Sequence, residues 1–349
     1  MRKVKTISIW IIISFAVQTG LLVYLSNYYF TEKTVVTFKP VNQVIQCNKI
    51  DITIPKEAKK IKVSPSGRYA MYYLDNALHV INLIDGKDNV VDLDRDSKNN
   101  FVKWYETEDK LIISEKKAVK GENGMKIYTY QAKDNLKQEV LDFNNISRIY
   151  NLSRKSANVM DIQLNTLNTI LYVKLSDRIA NDISRLDISD GMYKLPIETK
   201  NIGDYYIIKE QDEVVFEDSL SKKVYIFNSP KTKEIAIDGV DKSKLLYVDN
   251  DGIIYIGHLE NDKVKAIYYK NCNKEDNSKW EKLELKKSFA LKDIHIFNGG
   301  DIFAVDNING KVTNLKSNKE TEFTGAFVDM NNKSILTLKE QKYEFFNLK

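Results

Sequence analysis

Beyond residue 32 the chain alternates apolar and polar residues in short runs, with a turn signal about every ten residues. The clearest runs are RYAMYYLD (68–75), ALHVINLI (77–84), KVYIFN (223–228), GIIYIGHL (252–259) and SILTLKE (334–340). A period of two is typical of strands, and no sustained 3.6-residue pattern competes with it. Turns are predicted at Asp85-Gly86, Asn123-Gly124, Asp190-Gly191, Asp238-Gly239, Asp251-Gly252 and Asn309-Gly310. The pattern therefore predicts an all-β protein.

These runs group into a larger repeat of about 35 to 50 residues. Residues 59–93 predict four strands: 61–63, then a turn over Ser64-Pro65-Ser66-Gly67, then 68–74, 77–84 and 89–93. A similar order recurs near 99–143, 145–198, 202–238, 243–286 and 289–323. A unit of four short strands is thus repeated along the chain.

One stretch of the first repeat, SPSGRYAMYYLDNALHVINLIDGK (64–87), resembles the repeat of TolB-type and WD-like β-propellers. Ser64, Pro65, Gly67, Leu83 and the pair Asp85-Gly86 match that repeat, whereas Ser66 stands where Asp is usual. Trp104 with the apolar run 111–113 is similar to the same repeat, but Pro and Gly are missing there. The resemblance implies a β-propeller fold and carries no chemistry.

The end of the chain predicts how such a ring would close. Residues 326–349 supply three strands, and residues 44–54 (VIQCNKIDITI) offer a fourth. Pairing the N-terminal strand with the C-terminal three would remove two open sheet edges. Counting that composite blade gives seven blades. Six or eight blades stay open because 145–200 is irregular, and a β-sandwich with a small β domain is the alternative fold.

The N-terminal segment predicts the location. Residues Ile7 to Thr31 carry no charge, and as a helix they would span roughly 37 Å, enough for a hydrocarbon core of about 30 Å. Arg2, Lys3 and Lys5 precede this run, so the positive-inside rule places the N-terminus in the cytoplasm. The predicted organisation is a stub (1–6), a transmembrane signal anchor (7–30), a linker (31–43) and an extracytoplasmic β-propeller (44–349).

The sequence leaves two other interpretations of this segment open. A cleaved signal peptide would have the same basic start, but its apolar stretch is usually shorter, and the bulky residues 26–30 do not resemble a cleavage site. A lipoprotein would use Cys47, which lies well beyond the apolar run. We therefore expect an uncleaved anchor and a single-pass protein of the cell membrane.

Charge and cysteine content narrow the partners. The net charge is +5, with 53 basic and 48 acidic residues, and three of the basic ones belong to the stub. The rest of the chain is therefore close to neutral. Because it lacks a positive field that would attract a phosphate polymer, nucleic acid is not expected as a partner. Cys47 and Cys272 are the two cysteines. The sequence leaves open whether they pair.

A search for catalytic motifs gives no candidate catalytic, cofactor-binding or metal-binding residue. There is no G-x-S-x-G elbow, no HExxH, no C-x-x-C and no phosphate-binding loop. The three histidines, His79, His258 and His295, are predicted on strands. Asp92, Asp94 and Asp96 resemble the start of a calcium loop, but Ser97 and Lys103 occupy the positions of its glycine and glutamate. Trp280 is either a buried strand residue or an exposed aromatic residue that stacks on a sugar.

These observations predict a non-catalytic module, anchored through 7–30, that binds an envelope protein or a cell-wall glycan. The alternative is a propeller-type hydrolase or lyase that acts on envelope polysaccharide. Convergence of two or three carboxylates with Arg or His at the channel mouth would favour the enzyme.

Overall fold

The computed structural model describes residues 14–15, 17–22, 24, 54–94, 101–119, 122–152, 154, 156–272 and 279–348. By its internal contacts the chain divides into 1–48 and 49–349. In the first unit, every described residue between 14 and 24 is helical and exposed. No helix in the described ranges is both long and apolar enough to cross a membrane. The predicted strand at 44–54 lies outside these ranges except for Ile54.

The second unit consists of seven antiparallel sheets, numbered here as blades in chain order. Blade 1 consists of β1 (Lys59–Val63), β2 (Tyr69–Leu74), β3 (Ala77–Asn82) and β4 (Asp88–Val91). Blade 2 consists of β5 (Phe101–Trp104), β6 (Lys110–Val119), β7 (Glu122–Gln131) and β8 (Leu136–Glu139), with β9 (Tyr150–Asn151) beside β7. Blade 3 consists of β10 (Asn158–Leu164), β11 (Ile170–Ser176), β12 (Asn181–Asp187) and β13 (Gly191–Lys194).

Blades 4 to 7 continue in the same meander order. Blade 4 consists of β14 (Ile202–Ile208), β15 (Glu213–Asp218), β16 (Lys223–Asn228) and β17 (Lys231–Glu234), and blade 5 of β18 (Ser243–Val248), β19 (Ile253–Glu260), β20 (Lys263–Asn271) and β21 (Glu281–Ala290). Blade 6 consists of β22 (Ile294–Ile296), β23 (Ile302–Asp306), β24 (Lys311–Asn314) and β25 (Glu320–Glu322). Blade 7 consists of β26 (Ala326–Met330), β27 (Ser334–Lys339) and β28 (Lys342–Asn347). The predicted seven-bladed β-propeller is therefore confirmed.

The hydrophobic core lies between neighbouring blades. Between blades 1 and 2, for example, Leu78 and Val80 pack with Leu111 and Ile113, and all four side chains are fully buried. Both faces of a blade contact a neighbour, so apolar residues on successive positions are buried together. This burial explains why several strands read as nearly continuous apolar runs.

The first strand of each blade lies nearest the axis, because β1 contacts β26, β5 contacts β10, and β14 contacts both β10 and β18. Antiparallel order then sorts the turns onto two faces. We call the face with the turns after each first and third strand the mouth face; it includes 64–68 and 105–109. The opposite face, with the turns after each second strand and the connections between blades, is called the tip face; it includes 177–180 and 219–222.

The motif turn in blade 1 forms as predicted. The Gly67 amide donates to the Ser64 carbonyl at 2.9 Å, and Gly67 has a positive φ of 77°. A Cβ at this glycine would lie 3.0 Å from Asn331 Nδ2 in blade 7, so both the backbone conformation and the close approach favour glycine. Ser66, which departs from the repeat, donates from Oγ to Asp109 Oδ2 of blade 2 at 2.6 Å.

One predicted turn is wrong. Asn123-Gly124 lies inside β7, where Gly124 pairs with Lys117 of β6. The strands β6 and β7 form a longer hairpin than expected, and β9 pairs with β7 at Gly124. A Cβ there would meet Ile149 Cγ2 at 2.5 Å. Close approach of this segment, rather than a turn, accounts for the glycine.

Candidate functional site

Ion pairs connect neighbouring blades around the central channel. Lys62 of blade 1 lies 2.9 Å from Asp329 of blade 7, and Lys103 of blade 2 lies 2.9 Å from Asp161 of blade 3. In blade 5, Lys244 lies between two carboxylates of blade 4. Each of these carboxylates is thus engaged by a lysine of a neighbouring blade.

The most buried of these pairs involves Glu217, whose side chain is 1% exposed. Lys244 Nζ lies 2.8 Å from Glu217 and 2.5 Å from Asp204. Burial alone would lower the pKa of Lys244, but the hydrogen bonds to Asp204 and Glu217 outweigh burial and raise that pKa. Lys244 therefore stays charged at neutral pH, and its contacts with Asp204 and Glu217 hold blades 4 and 5 together.

Lys174 of blade 3 contributes a further contact between blades. Its Nζ donates to the carbonyl of Gly203 in blade 4 at 2.5 Å. Burial lowers the pKa of Lys174, while the nearby carboxylates of Asp204 and Asp161 oppose that shift. Asp161 itself also accepts a hydrogen bond from Gln163 Nε2 at 2.7 Å. Lys103, Lys174 and Lys244 each thus make a contact between neighbouring blades in this part of the channel.

A cavity of about 320 Å³ opens on the mouth face of the ring. Its wall combines β5 and the turn after it, the end of β10 with the turn after that, and two further turns from blades 4 and 5. This volume lies at the lower end of the range for small-molecule sites. Four side-chain amides contribute to the wall: Gln163, Asn165, Asn168 and Asn250.

A charged bridge crosses the cavity. Lys209 Nζ of blade 4 donates to Glu106 Oε2 of blade 2 at 2.7 Å and to Asn250 Oδ1 of blade 5 at 2.6 Å. The side chains of Lys209 and Glu106 are 20% and 24% exposed. Three turns that are distant in sequence are therefore joined at one polar, solvent-accessible point. A ligand rich in hydroxyl or amide groups can exchange hydrogen bonds with this bridge.

Of the residues named from the sequence, Lys103 and Trp104 line this cavity, whereas the three histidines, Asp94 and Trp280 do not. His79 is on β3, where Nδ1 lies 2.8 Å from Asp88 Oδ2 and the ring stacks on Tyr72 at 4.9 Å. His258 is on β19 and His295 on β22, so the prediction that all three histidines occupy strands is confirmed. His295 lies nearest the channel, with its Nε2 buried and without a hydrogen-bond partner among the described residues.

Asp94, from the calcium-like stretch, pairs with Lys117, and Asp96 lies outside the described residues. Within the described ranges, no group of three or more His, Cys, Asp or Glu side chains is arranged to hold a metal ion. Trp280 is half-buried and packs with Cys272 against the core between blades 4 and 5. Cys47, whose pairing with Cys272 the sequence leaves open, is not among the described residues.

The bridge residues of the cavity, Glu106 and Lys209, were not identified from the sequence. Glu106 and Lys209 are 103 positions apart and belong to turns without a recognisable motif. Only the closure of the ring brings blades 2, 4 and 5 around a common axis. No local signal in the chain could have paired these two side chains.

No family model and no curated protein match the chain. Many solved structures do resemble it. An oligogalacturonate lyase in complex with manganese aligns with a TM-score of 0.56 and 10% identity, over 82% of this chain and 88% of the lyase. The Cps50 (Swd1) β-propeller domain of Myceliophteria thermophila aligns with a TM-score of 0.53 and 11% identity, over 85% of this chain and 99% of that domain.

TolB from Acinetobacter baumannii is also among the similar structures, at 10% identity, over 66% of this chain and 55% of TolB. Its TM-score of 0.38 is too low for any argument about function. At such identities these likenesses show the fold alone. They confirm the predicted resemblance to β-propeller repeat proteins and leave the chemistry to the residues of this chain.

Proposed function

We propose that this protein is a membrane-anchored, extracytoplasmic β-propeller that binds a cell-wall glycan or an envelope protein through the mouth-face cavity, without catalysing a reaction. The observation that carries the proposal is the bridge of Lys209 to Glu106 and Asn250 inside that cavity. The bridge offers the Lys209 ammonium group as a donor and the Glu106 carboxylate as an acceptor, and these two opposite charges neutralise each other.

Paired charges favour binding over acid–base catalysis. A glycosidase or lyase needs a carboxylate or another base that is free to take a proton from substrate. Of the three glutamates in the cavity wall, Glu106, Glu108 and Glu210, the first is held by Lys209. Neither Arg nor His contributes to the described wall of the cavity. The arrangement that would favour the enzyme is therefore not formed by these side chains.

The shape and polarity of the cavity favour the glycan over a protein. Sugar hydroxyl and acetamido groups form hydrogen bonds with side-chain amides, and four such amides line the wall. A protein partner usually requires a larger surface with buried aromatic or arginine anchors. A short glycan segment is thus the ligand that this cavity fits best.

The location remains supported by the sequence. The uncharged run 7–30 follows three basic residues, which favours an N-terminal anchor with the ring outside the cytoplasm. In that compartment wall glycans are abundant and nucleic acid is not. The likeness to an oligogalacturonate lyase keeps polysaccharide lysis as the alternative outcome of the test.

The test titrates detergent-purified full-length protein with defined wall-glycan fragments by calorimetry and analyses the same samples for cleaved products. We expect saturable binding without new products. Lys209→Met should weaken binding by at least about tenfold, because a charge-assisted hydrogen bond contributes about 1.5 to 3 kcal/mol.

The control is Lys223→Met, which removes a more exposed lysine–glutamate ion pair, with Glu234, on the outer strands of blade 4. Its binding should equal that of the unaltered protein. Binding that survives Lys209→Met would contradict the assigned site. Accumulation of shortened or unsaturated fragments would instead establish the lyase or hydrolase alternative, and selective retention of an envelope protein would replace the glycan.

A further inference from the structure

Three turns on the tip face present exposed aliphatic side chains in the same local arrangement. They read Asp177-Arg178-Ile179, Asp218-Ser219-Leu220 and Asp306-Asn307-Ile308, and they follow the second strands of blades 3, 4 and 6. Ile179 is 75% exposed, Leu220 78% and Ile308 96%. Single exposed apolar residues are common on protein surfaces, but here an aliphatic residue follows two positions after an aspartate in three four-residue turns of one face.

The aspartate in each turn fixes its conformation. Asp177 Oδ1 accepts from the Ile179 amide at 2.8 Å, and Asp218 Oδ1 accepts from the Leu220 amide at 2.9 Å. In blade 6, Asp306 Oδ1 accepts from the Asn309 amide at 3.1 Å. Such side-chain-to-backbone bonds stabilise a turn locally. The aliphatic side chain is therefore held outward by an ordered turn.

Other blades use a different turn on this face. The corresponding turns of blades 1, 5 and 7 are Asp75-Asn76, Asn261-Asp262 and Glu340-Gln341, and all six residues have positive φ. These turns contain two polar residues, whereas those of blades 3, 4 and 6 span four. Apolar tips thus occur in the longer turns, which extend further from the sheet.

The chemistry of these tips fits a lipid surface better than a protein. The three side chains stand on separate turns around the ring, and they are Ile and Leu rather than the aromatic and arginine anchors that dominate protein interfaces. Arg178 and Lys222 lie beside two of the tips and are suited to phospholipid headgroups. Shallow insertion of aliphatic side chains beside cations is typical of proteins that rest on a bilayer.

The chain itself brings such a surface within reach. The described part of the ring begins at Ile54, and the uncharged run predicted to span a membrane ends at residue 30. The residues between them can extend by at most about 75 Å, at roughly 3.3 Å per residue. A ring tethered at this distance meets the bilayer continually.

We propose that Ile179, Leu220 and Ile308 insert into the outer leaflet of the membrane, so that the tip face rests on the lipid and the mouth-face cavity faces away from it. This inference rests on the membrane anchorage proposed above. It adds an orientation: the glycan-binding cavity would be presented to the space beyond the membrane rather than to the lipid.

The test uses full-length protein in vesicles of phosphatidylethanolamine and phosphatidylglycerol that contain lipids brominated on the acyl chain. A bimane fluorophore is placed by Ile308→Cys, or in a second variant by Ile179→Cys, after Cys47→Ser and Cys272→Ala remove the native thiols. The matched control is Leu167→Cys, because Leu167 is 77% exposed and lies in the turn after β10 on the mouth face.

We expect quenching at positions 308 and 179 to exceed quenching at position 167 by at least about twofold, because bromine quenches only fluorophores that enter the acyl region. Equal quenching at the two faces, or none at 308 and 179, would overturn the proposed orientation. Each sample is first washed with sodium carbonate at high pH. Protein released by that wash would disprove the anchorage itself, which separates the two failures.

Discussion

Lysine–carboxylate ion pairs join blades 4 and 5, and also blades 7 and 1. We call these two contacts between neighbouring blades seams. They differ in how the chain connects the blades on either side. Between blades 4 and 5, Lys244 contacts Asp204 and Glu217, and the chain passes directly from one blade to the next through residues 235–242. Between blades 7 and 1, Lys62 contacts Asp329 although the two residues are 267 positions apart. The second seam joins opposite ends of the propeller.

The two seams also differ in the number and kind of hydrogen-bond donors that their carboxylates engage. Asp329 accepts from Lys62 Nζ at 2.9 Å and also from the Val63 amide at 2.8 Å. Close to it, Asn331 Nδ2 donates to the Ser64 carbonyl at 3.1 Å. Backbone groups of blade 1 are thus held by side chains of blade 7. Closing a long loop costs chain entropy, so a seam between distant segments needs such directional contacts in addition to apolar packing.

The largest effect is expected at the seam of blades 4 and 5. Lys244→Met should destabilise the protein by about 3 kcal/mol or more, because it leaves the buried Glu217 carboxylate without its cation. The measurement is urea unfolding followed by fluorescence. The double variant Lys244→Met with Glu217→Leu should recover most of the loss, since no uncompensated charge then remains. A single variant as stable as the parent would show that Glu217 is not buried as described.

Breaking the other seam should cost less but should affect closure. Asp329→Ala leaves the Val63 amide without its acceptor, and we expect a loss of about 2 kcal/mol, mostly the penalty of a buried unsatisfied donor. The control is Lys103→Met in the partly exposed pair with Asp161, which leaves the hydrogen bond from Gln163 to Asp161 in place, and a loss of about 0.5 to 1 kcal/mol is expected. Hydrogen exchange should accelerate in β1 and β26 for Asp329→Ala alone. Equal losses in both variants would contradict a special role for the seam of blades 7 and 1.

The smallest effect concerns pH. Burial lowers the pKa of His295, although Asp329 opposes that shift; Lys62 lowers it further and Asp293 raises it. Its ring packs on Phe327 at 5.4 Å. The unfolded chain binds a proton at about pH 6.5, before the folded protein does, so stability should decrease as pH falls below about 6.5.

That dependence is measured as the urea midpoint between pH 7.5 and 5, a window above the titration of most carboxylates. His295→Gln should flatten the curve in this window. If the parent and His295→Gln curves stay parallel, His295 does not titrate differently in the folded and unfolded states.

Much of the ring was predictable because local signals set it. Alternation over 68–84 predicted the hairpin of β2 and β3 to within two residues at its ends, and Asp-Gly pairs such as Asp251-Gly252 marked real turns, where Gly252 has a φ of 74°. The prediction failed at Asn123-Gly124, where a contact with residues 149–151 rather than a turn requires glycine. The closure strand at 44–54 stays a prediction, supported by the burial of Ile54 against Leu336 and Tyr343.

The two candidate sites also differ in how much of each the sequence predicts. The turns at Ile179, Leu220 and Ile308 could be recognised in the sequence as aspartates followed two positions later by an aliphatic residue, but their common face follows only from the strand order. The cavity could not be found at all, because Glu106, Lys209 and Asn250 carry no shared spacing.

Strand periodicity, turn residues, the repeat of four strands and the uncharged N-terminal run were determined by the sequence, since each depends on interactions within about ten residues. The partners across the seams, the neutralisation of the channel carboxylates and the composition of the cavity were decided by the tertiary structure. They depend on which blades become neighbours when the ring closes, and that choice minimises exposed sheet edges and unpaired buried charge over the whole chain rather than in any one segment.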